Sequence, residues 1–176
     1  MEDTMTNEEI LSNIRTIPNF PKTGIMFKDI TTALKNKKTY KAIVDNMFDA
    51  VKDLDIDYIV AVESRGYILG APLAYKLETG LIIARKPGKL PAPTSRIEYG
   101  LEYGKDALEI HLDSLKEGDK VLVVDDLLAT GGTVNATIEL VENLGAKVIA
   151  SLFLIELEGV SKNTKIKSPI ISLIKC

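Results

Sequence analysis

The run Val121-Leu-Val-Val-Asp-Asp-Leu-Leu-Ala-Thr-Gly-Gly-Thr133 gathers more chemistry than any other part of the chain. Four aliphatic residues, Val121–Val124, read as a strand, with two adjacent carboxylates, Asp125 and Asp126, at its carboxyl end. A turn of small residues follows (Ala129, Thr130, Gly131, Gly132, Thr133) and opens a helix. Small residues let backbone N–H groups approach an anion closely. A helix N-terminus adds unpaired donors and a favourable dipole, and the two threonine hydroxyls add more. The pattern is a phosphate cradle. It lacks the lysine of a P-loop and the glycine spacing of a dinucleotide-binding turn. Carboxylates set directly against a phosphate would repel it. One step away they can accept hydrogen bonds from a vicinal diol or hold a divalent cation through water. A ribose 5-phosphate has that layout. An isolated Asp-Asp would be read as solvated or helix-capping; strand, acid pair, glycine turn and helix in sequence make it a site.

Cations form the second group of candidates. Glu63-Ser64-Arg65-Gly66 follows the apolar run Tyr58–Val62. A guanidinium there can grip diphosphate oxygens in a fork, and a helix opening at Gly66 would assist it. Arg85, Lys86 and Lys89 cluster within five residues. In isolation they are a solvated basic loop; beside a diphosphate they become counter-charges that disperse charge on the leaving group. The chain has one His, His111, and one Cys, Cys176 at its end. Multi-histidine metal sites, thiolate clusters and internal disulfides are thereby excluded. His111 has no triad or metal partner nearby in sequence and is read as structural or exposed.

These groups need a scaffold, and the apolar pattern supplies one. Thr6-Asn7-Glu8-Glu9 fits a capping box before a short amphipathic helix over 7–16, ended by Pro18 and Pro21. Tyr40, Ile43, Val44, Met47, Phe48 and Val51 mark a second helix. Tyr58–Val62, Leu81–Ala84 and Val121–Val124 read as strands covered on both faces. Helices are expected over 66–78 and 132–144, Gly145 as a helix-ending glycine, and a further strand over Lys147–Ile155. Strand–helix–strand repetition predicts an α/β fold with a mainly parallel central sheet flanked by helices and ligands at the strands' carboxyl ends. Residues 85–106, rich in Pro and Gly, break the rhythm and read as a long functional loop before a strand over Ala107–Ile110.

The chain has 176 residues, 22 Lys and Arg against 25 Asp and Glu, and a net charge of -3. That length fits a single domain over 1–176. The balance argues against general nucleic-acid binding. The acidic start and the absence of a long apolar run predict no signal peptide, no membrane partner and a cytoplasmic location.

These motifs together resemble the type I phosphoribosyltransferases, and more narrowly the members that act on adenine. The resemblance covers nearly the whole chain: the Asp125-Asp126 cradle, Phe20-Pro21-Lys-Thr-Gly24-Ile-Met-Phe27-Lys28-Asp29, Glu63–Gly66, Arg85-Lys-Pro-Gly-Lys89 and Leu101-Glu102-Tyr103-Gly104. It implies the type I fold, with a small N-terminal hood (1–35) and a mobile lid (85–106). It implies transfer of the 5-phosphoribosyl group from 5-phosphoribosyl 1-diphosphate to adenine, giving AMP and diphosphate, with Mg2+ held mainly by substrate and water, near Asp125. Met26, Phe27 and Lys28 correspond to the base-binding residues, although the family commonly has Arg where Lys28 stands. Arg65, Arg85, Lys86 and Lys89 correspond to the diphosphate site and Tyr103 to the lid. Glu102 corresponds to the catalytic carboxylate, alongside Asp125 and Asp126; the repeated EYG makes Glu98 its nominal competitor. A homodimer and a non-proline cis peptide in the Glu63–Gly66 loop are also implied. Three rivals remain in view. One is another purine base: hypoxanthine, guanine or xanthine. The second is a phosphoribosyl-diphosphate-sensing regulator, for which too few residues precede the base segment to hold a helix-turn-helix. The third is a signalling receiver domain, for which too few residues follow the acid pair.

Overall fold

The computed structural model describes residues 5–101, 104–161 and 165–176. The N-terminal part holds α1 (Asn7–Ser12), the hairpin strands β1 (Arg15–Pro18) and β2 (Met26–Asp29), α2 (Thr31–Lys35) and α3 (Lys37–Val51). The capping box forms reciprocally: Thr6 Oγ1 accepts from the Glu9 amide, and the Glu9 carboxylate accepts from the Thr6 amide. The first helix is shorter than expected. Asn13 caps it, and Arg15 leaves to pair with Asp29 in the antiparallel β1–β2 sheet. Long-range pairing overrides the helical period there.

Then follow β3 (Tyr58–Val62), α4 (Arg65–Leu77), β4 (Gly80–Ala84), β5 (Thr94–Leu101), β6 (Gly104–His111), β7 (Lys120–Leu128), α5 (Gly132–Asn143), β8 (Lys147–Glu156), α6 (Glu158–Ser161) and β9 (Ile170–Lys175). Five of the strands form one parallel sheet in the order β4-β3-β7-β8-β9. Its two faces carry separate apolar layers. Ile59, Ala61, Leu122 and Val124 pack with Ile43 and Met47 of α3 and Leu69 and Leu73 of α4. Val60, Val62, Val121 and Val123 pack on the other face with Val134, Ile138 and Val141 of α5 and Leu108 and Ile110 of β6. Burying each such side chain stabilises the fold by roughly 1.5–3 kcal/mol relative to exposure.

Three further expectations are corrected. Residues 85–106 are not one loop: Thr94–Leu101 is a strand in register with Gly104–His111, Tyr99 lying opposite Asp106. Ser95, Ile97 and Tyr99 are half-buried while Arg96, Glu98 and Gly100 are exposed, a period-two pattern that the flanking prolines and glycines mask. Leu81–Ala84 is not covered on both faces, because β4 is the sheet edge and Leu81 and Ile83 are exposed. The strand under the acid pair does not end at Val124; β7 runs on to Leu128, with Asp125 in register with Phe153 of β8. Gly145 does end α5 with a positive φ of 83°. No described helix is long and apolar enough to cross a membrane.

The topology places the chemistry. From β3 the chain moves outward to β4, then returns on β3's other side as β7. Ligands in open parallel sheets sit outside the strand ends where the order reverses. Both the Glu63–Gly66 loop and the Ala129–Thr133 turn leave the sheet at that point.

Candidate active site

A cavity of about 430 Å3 opens there. Its wall brings together Asp125, Asp126, Ala129, Thr130, Gly131 and Thr133 from β7 and its turn, Ser64 and Arg65 from the β3–α4 junction, and Lys86, Tyr99 and Asp106 from beyond β4. Gly131 adopts φ 85° immediately before α5, whose N-terminus has no side-chain cap. A glycine reaches that conformation without strain, and the first amides of α5 stay available to an anion. Gly132 does not line the cavity. Its Cα side faces the hairpin, where a Cβ would come within 3.2 Å of the Gly100 carbonyl oxygen.

The acid pair is asymmetric: Asp126 is buried and Asp125 half-buried. Asp125 Oδ1 accepts from the Asp126 amide at 2.8 Å. Asp126 is 3% exposed, and its Oδ2 lies 2.6 Å from Arg65 Nε. Burial pushes the Asp125 carboxyl well above the ordinary carboxylate range, and the charge of Asp126 pushes it further. Burial also raises Asp126, outweighing the pull of Arg65. Two adjacent carboxylates in this setting are poised to accept hydrogen bonds or a cation. Among the described residues no three His, Cys, Asp or Glu side chains converge as a metal cage.

Arg65 joins two regions of the site. Its guanidinium carbon lies 5.2 Å over the Phe27 ring while its Nε holds Asp126. Phe27 in turn packs edge-on against Phe20, with centroids 5.1 Å apart. The candidate base residues Met26, Phe27 and Lys28 are all on β2, outside the cavity wall; Met26 is exposed, and Lys28 Nζ donates to Thr16 Oγ1 at 3.3 Å. Phe27 therefore adjoins the cavity through Arg65.

The other candidate cations are already paired. Lys86 forms an ion pair with Asp106, and burial lowers its pKa. Lys89 pairs with Glu63, whose Oε2 also accepts from the Lys86 amide at 2.8 Å and lies 3.5 Å from Arg85 Nε. Burial alone would raise Glu63, but Lys89, the Lys86 amide and Arg85 bring its carboxyl below the ordinary range. Lys86 lines the cavity; Arg85 and Lys89 gather on Glu63 instead. The Glu63–Ser64 peptide is cis, as is Phe20–Pro21. His111 ends β6 and accepts from the Ala92 amide at 3.4 Å. Glu102 and Tyr103 lie outside the described residues.

Sequence reasoning passed over Tyr99 and Asp106. Both line the cavity, and the Tyr99 hydroxyl lies 3.4 Å from Asp106 Oδ2 and 3.4 Å from Thr133 Oγ1. The available signal was the alternation of Ile97 and Tyr99 against Arg96 and Glu98.

A parallel α/β sheet with an acid pair and a glycine turn at its switch point defines a class, and the comparisons agree with it. Residues 29–175 match the model of the phosphoribosyl transferase domain. The chain belongs to the type I phosphoribosyltransferase family. Within it, the similar relatives are adenine phosphoribosyltransferases. That of Alkaliphilus metalliredigens is 56% identical over 146 residues, 83% of this chain and 86% of the relative. That of Synechococcus is 52% identical, covering 92% and 95%. The solved structure of the adenine phosphoribosyltransferase from Thermoanaerobacter pseudethanolicus superimposes with a TM-score of 0.94 at 51% identity, covering 97% of this chain and 100% of that one. The Saccharomyces cerevisiae enzyme, solved with adenine and an imino-altritol bisphosphate, gives 0.89 at 36% identity, covering 95% and 97%.

Proposed function

We infer that this protein transfers the 5-phosphoribosyl group from 5-phosphoribosyl 1-diphosphate to adenine, releasing AMP and diphosphate in purine salvage. The observation that carries this reading is the cradle itself: uncapped α5 amides and threonine hydroxyls one step from two adjacent carboxylates, one buried and one half-buried. The 5-phosphate would sit on residues Ala129–Thr133. Asp125 and Asp126 would accept hydrogen bonds from the ribose 2′- and 3′-hydroxyls. Adenine would stack on Phe27 and be read by the main chain of Met26–Lys28. An adenine ring nitrogen then attacks the anomeric carbon as its bond to diphosphate breaks. The electron pair leaves with diphosphate, and the nitrogen proton passes to a base at the site, the Glu102 carboxylate or a diphosphate oxygen.

Diphosphate needs counter-charge, and Arg65, Arg85, Lys86 and Lys89 would supply it. Each is now held by a carboxylate, so binding exchanges protein carboxylates for diphosphate oxygens. The oxygen-donor chemistry of Asp125 and Asp126 fits Mg2+, which keeps several waters and binds through one or two carboxylates plus substrate phosphates. When bound, Mg2+ supplies neutralisation of the leaving group. Glu102 is assigned to the catalytic lid carboxylate and Tyr103 to the lid beside it. Residues 1–35 form the hood, and 85–106 the mobile lid that excludes water from the sugar donor. The working form is a cytoplasmic homodimer.

The test is the product mass from adenine and the diphosphate donor with Mg2+, with hypoxanthine, guanine and xanthine run in parallel. AMP from adenine, at a kcat/KM far above those of the other bases, is the expected result. IMP, GMP or XMP formed in preference would replace adenine as the substrate.

A further inference from the structure

Tyr99 stands where the hairpin meets the phosphate cradle. Strand β5 crosses the start of α5 so closely that a Cβ on Gly132 would lie 3.2 Å from the Gly100 carbonyl oxygen and 3.5 Å from the Tyr99 ring. The ring is thus seated against the helix N-terminus, and its hydroxyl reaches the rim of the cradle at Thr133 Oγ1, 3.4 Å away. The hydroxyl's other neighbour, Asp106 Oδ2, is also 3.4 Å away. Both contacts are long for O–H···O bonds, which centre near 2.7–2.8 Å. A half-buried hydroxyl with two long contacts retains its donor capacity. Asp106 is also engaged by the Lys86 ammonium, which neutralises it and weakens its claim on the phenol proton. Burial raises the phenol pKa, so the group stays protonated and able to donate at neutral pH.

We propose that Tyr99 is a binding residue of the ribose 5-phosphate subsite, its hydroxyl donating to a phosphate oxygen held by the α5 N-terminus. The inference rests on the cradle's assignment to the 5-phosphate. It adds a donor from the hairpin to those supplied by the turn, so that holding the phosphate and seating β5 on α5 favour each other.

The test compares wild type with Tyr99→Phe, which keeps the ring and removes only the hydroxyl. Titration calorimetry with ribose 5-phosphate, and separately with inorganic phosphate, reads the contact directly; steady-state kinetics read it in turnover. A hydrogen bond to a charged group is lost, so affinity for ribose 5-phosphate should fall roughly ten-fold. KM for the diphosphate donor should rise similarly, with kcat and KM for adenine within about two-fold and an unchanged melting temperature. Unchanged ribose 5-phosphate affinity and donor KM would overturn the proposal. So would a fall in affinity matched by a lowered melting temperature and impaired adenine KM, because that pattern is structural. Wild type that makes no AMP from adenine yet binds ribose 5-phosphate through Tyr99 would sink the adenine reading alone. Wild type that binds neither ribose 5-phosphate nor phosphate would sink the cradle and this proposal together.

Discussion

Asp125 is held in a state that folding alone would not choose. It is half-buried beside a buried carboxylate, and its pKa is raised by desolvation first and by the charge of Asp126 second. A raised carboxyl pKa means the folded chain binds protons more readily than the unfolded one. Stability is therefore lost as pH rises from the unfolded carboxylate range, near 4, towards the raised folded value. Asp125→Asn removes this penalty and keeps an oxygen to accept from the Asp126 amide. Its melting temperature at pH 7 should exceed wild type by a few degrees, and the difference should vanish below about pH 4. Its kcat/KM for the diphosphate donor should drop roughly 100-fold or more. Calorimetry across pH, run beside kinetics, checks both halves; a variant less stable than wild type at neutral pH would contradict the electrostatic account. The acid pair and turn were legible in sequence because they are contiguous, so their mutual geometry is nearly fixed by strand, turn and helix. Tyr99 and Asp106 were not, because each acquires meaning only through the register that sets it opposite the other.

At the scale of elements, the close approach of α4 to β7 decides how the cations meet the acids. Gly66 lies against the end of the sheet; a Cβ there would be 2.8 Å from the Val124 carbonyl oxygen and 3.1 Å from Asp125 Oδ1. The first contact is with backbone, which cannot rotate away, so Gly66→Ala must push the start of α4 outward. Overpacking of this kind costs about 1–3 kcal/mol. The shift also carries Arg65 away from Asp126, so urea denaturation should show the loss together with a donor KM raised several-fold. Stability equal to wild type would mean that the junction yields more readily than its packing indicates. Helices α3, α4 and α5 were readable because their apolar periods agree with the packing each helix makes. The hairpin and β1 were not: proline and glycine flank the alternation of β5, and β1 continues an apolar helical pattern until pairing with β2 overrides it. Strand β9, short and following the described α6, carried no periodic signal against the aliphatic run of β8.

The whole molecule reconciles a net charge of -3 with an anion site by pairing its cations locally. Arg65 is held by Asp126, Lys86 by Asp106, and Lys89 and Arg85 by Glu63, so the site's positive charge emerges when an anion replaces these partners. The apolar surface is less evenly settled. Leu81 and Ile83 are exposed on edge strand β4, and Ile68 and Tyr75 are exposed on neighbouring α4, Tyr75 at 86%. Exposed edge strands with aliphatic side chains invite pairing with another chain, and clustered apolar exposure marks contact surfaces. The homodimer proposed above would cover this region, the β4 edge of the sheet with α4 beside it. Leu81→Lys with Ile83→Lys sets two charges into that surface at positions outside the buried core clusters. Sedimentation should give wild type at about twice the 19.3 kDa chain mass and the double variant near one chain mass. Wild type sedimenting at one chain mass at micromolar concentration would rule out the dimer. A double variant that remains dimeric would place the interface elsewhere on the molecule.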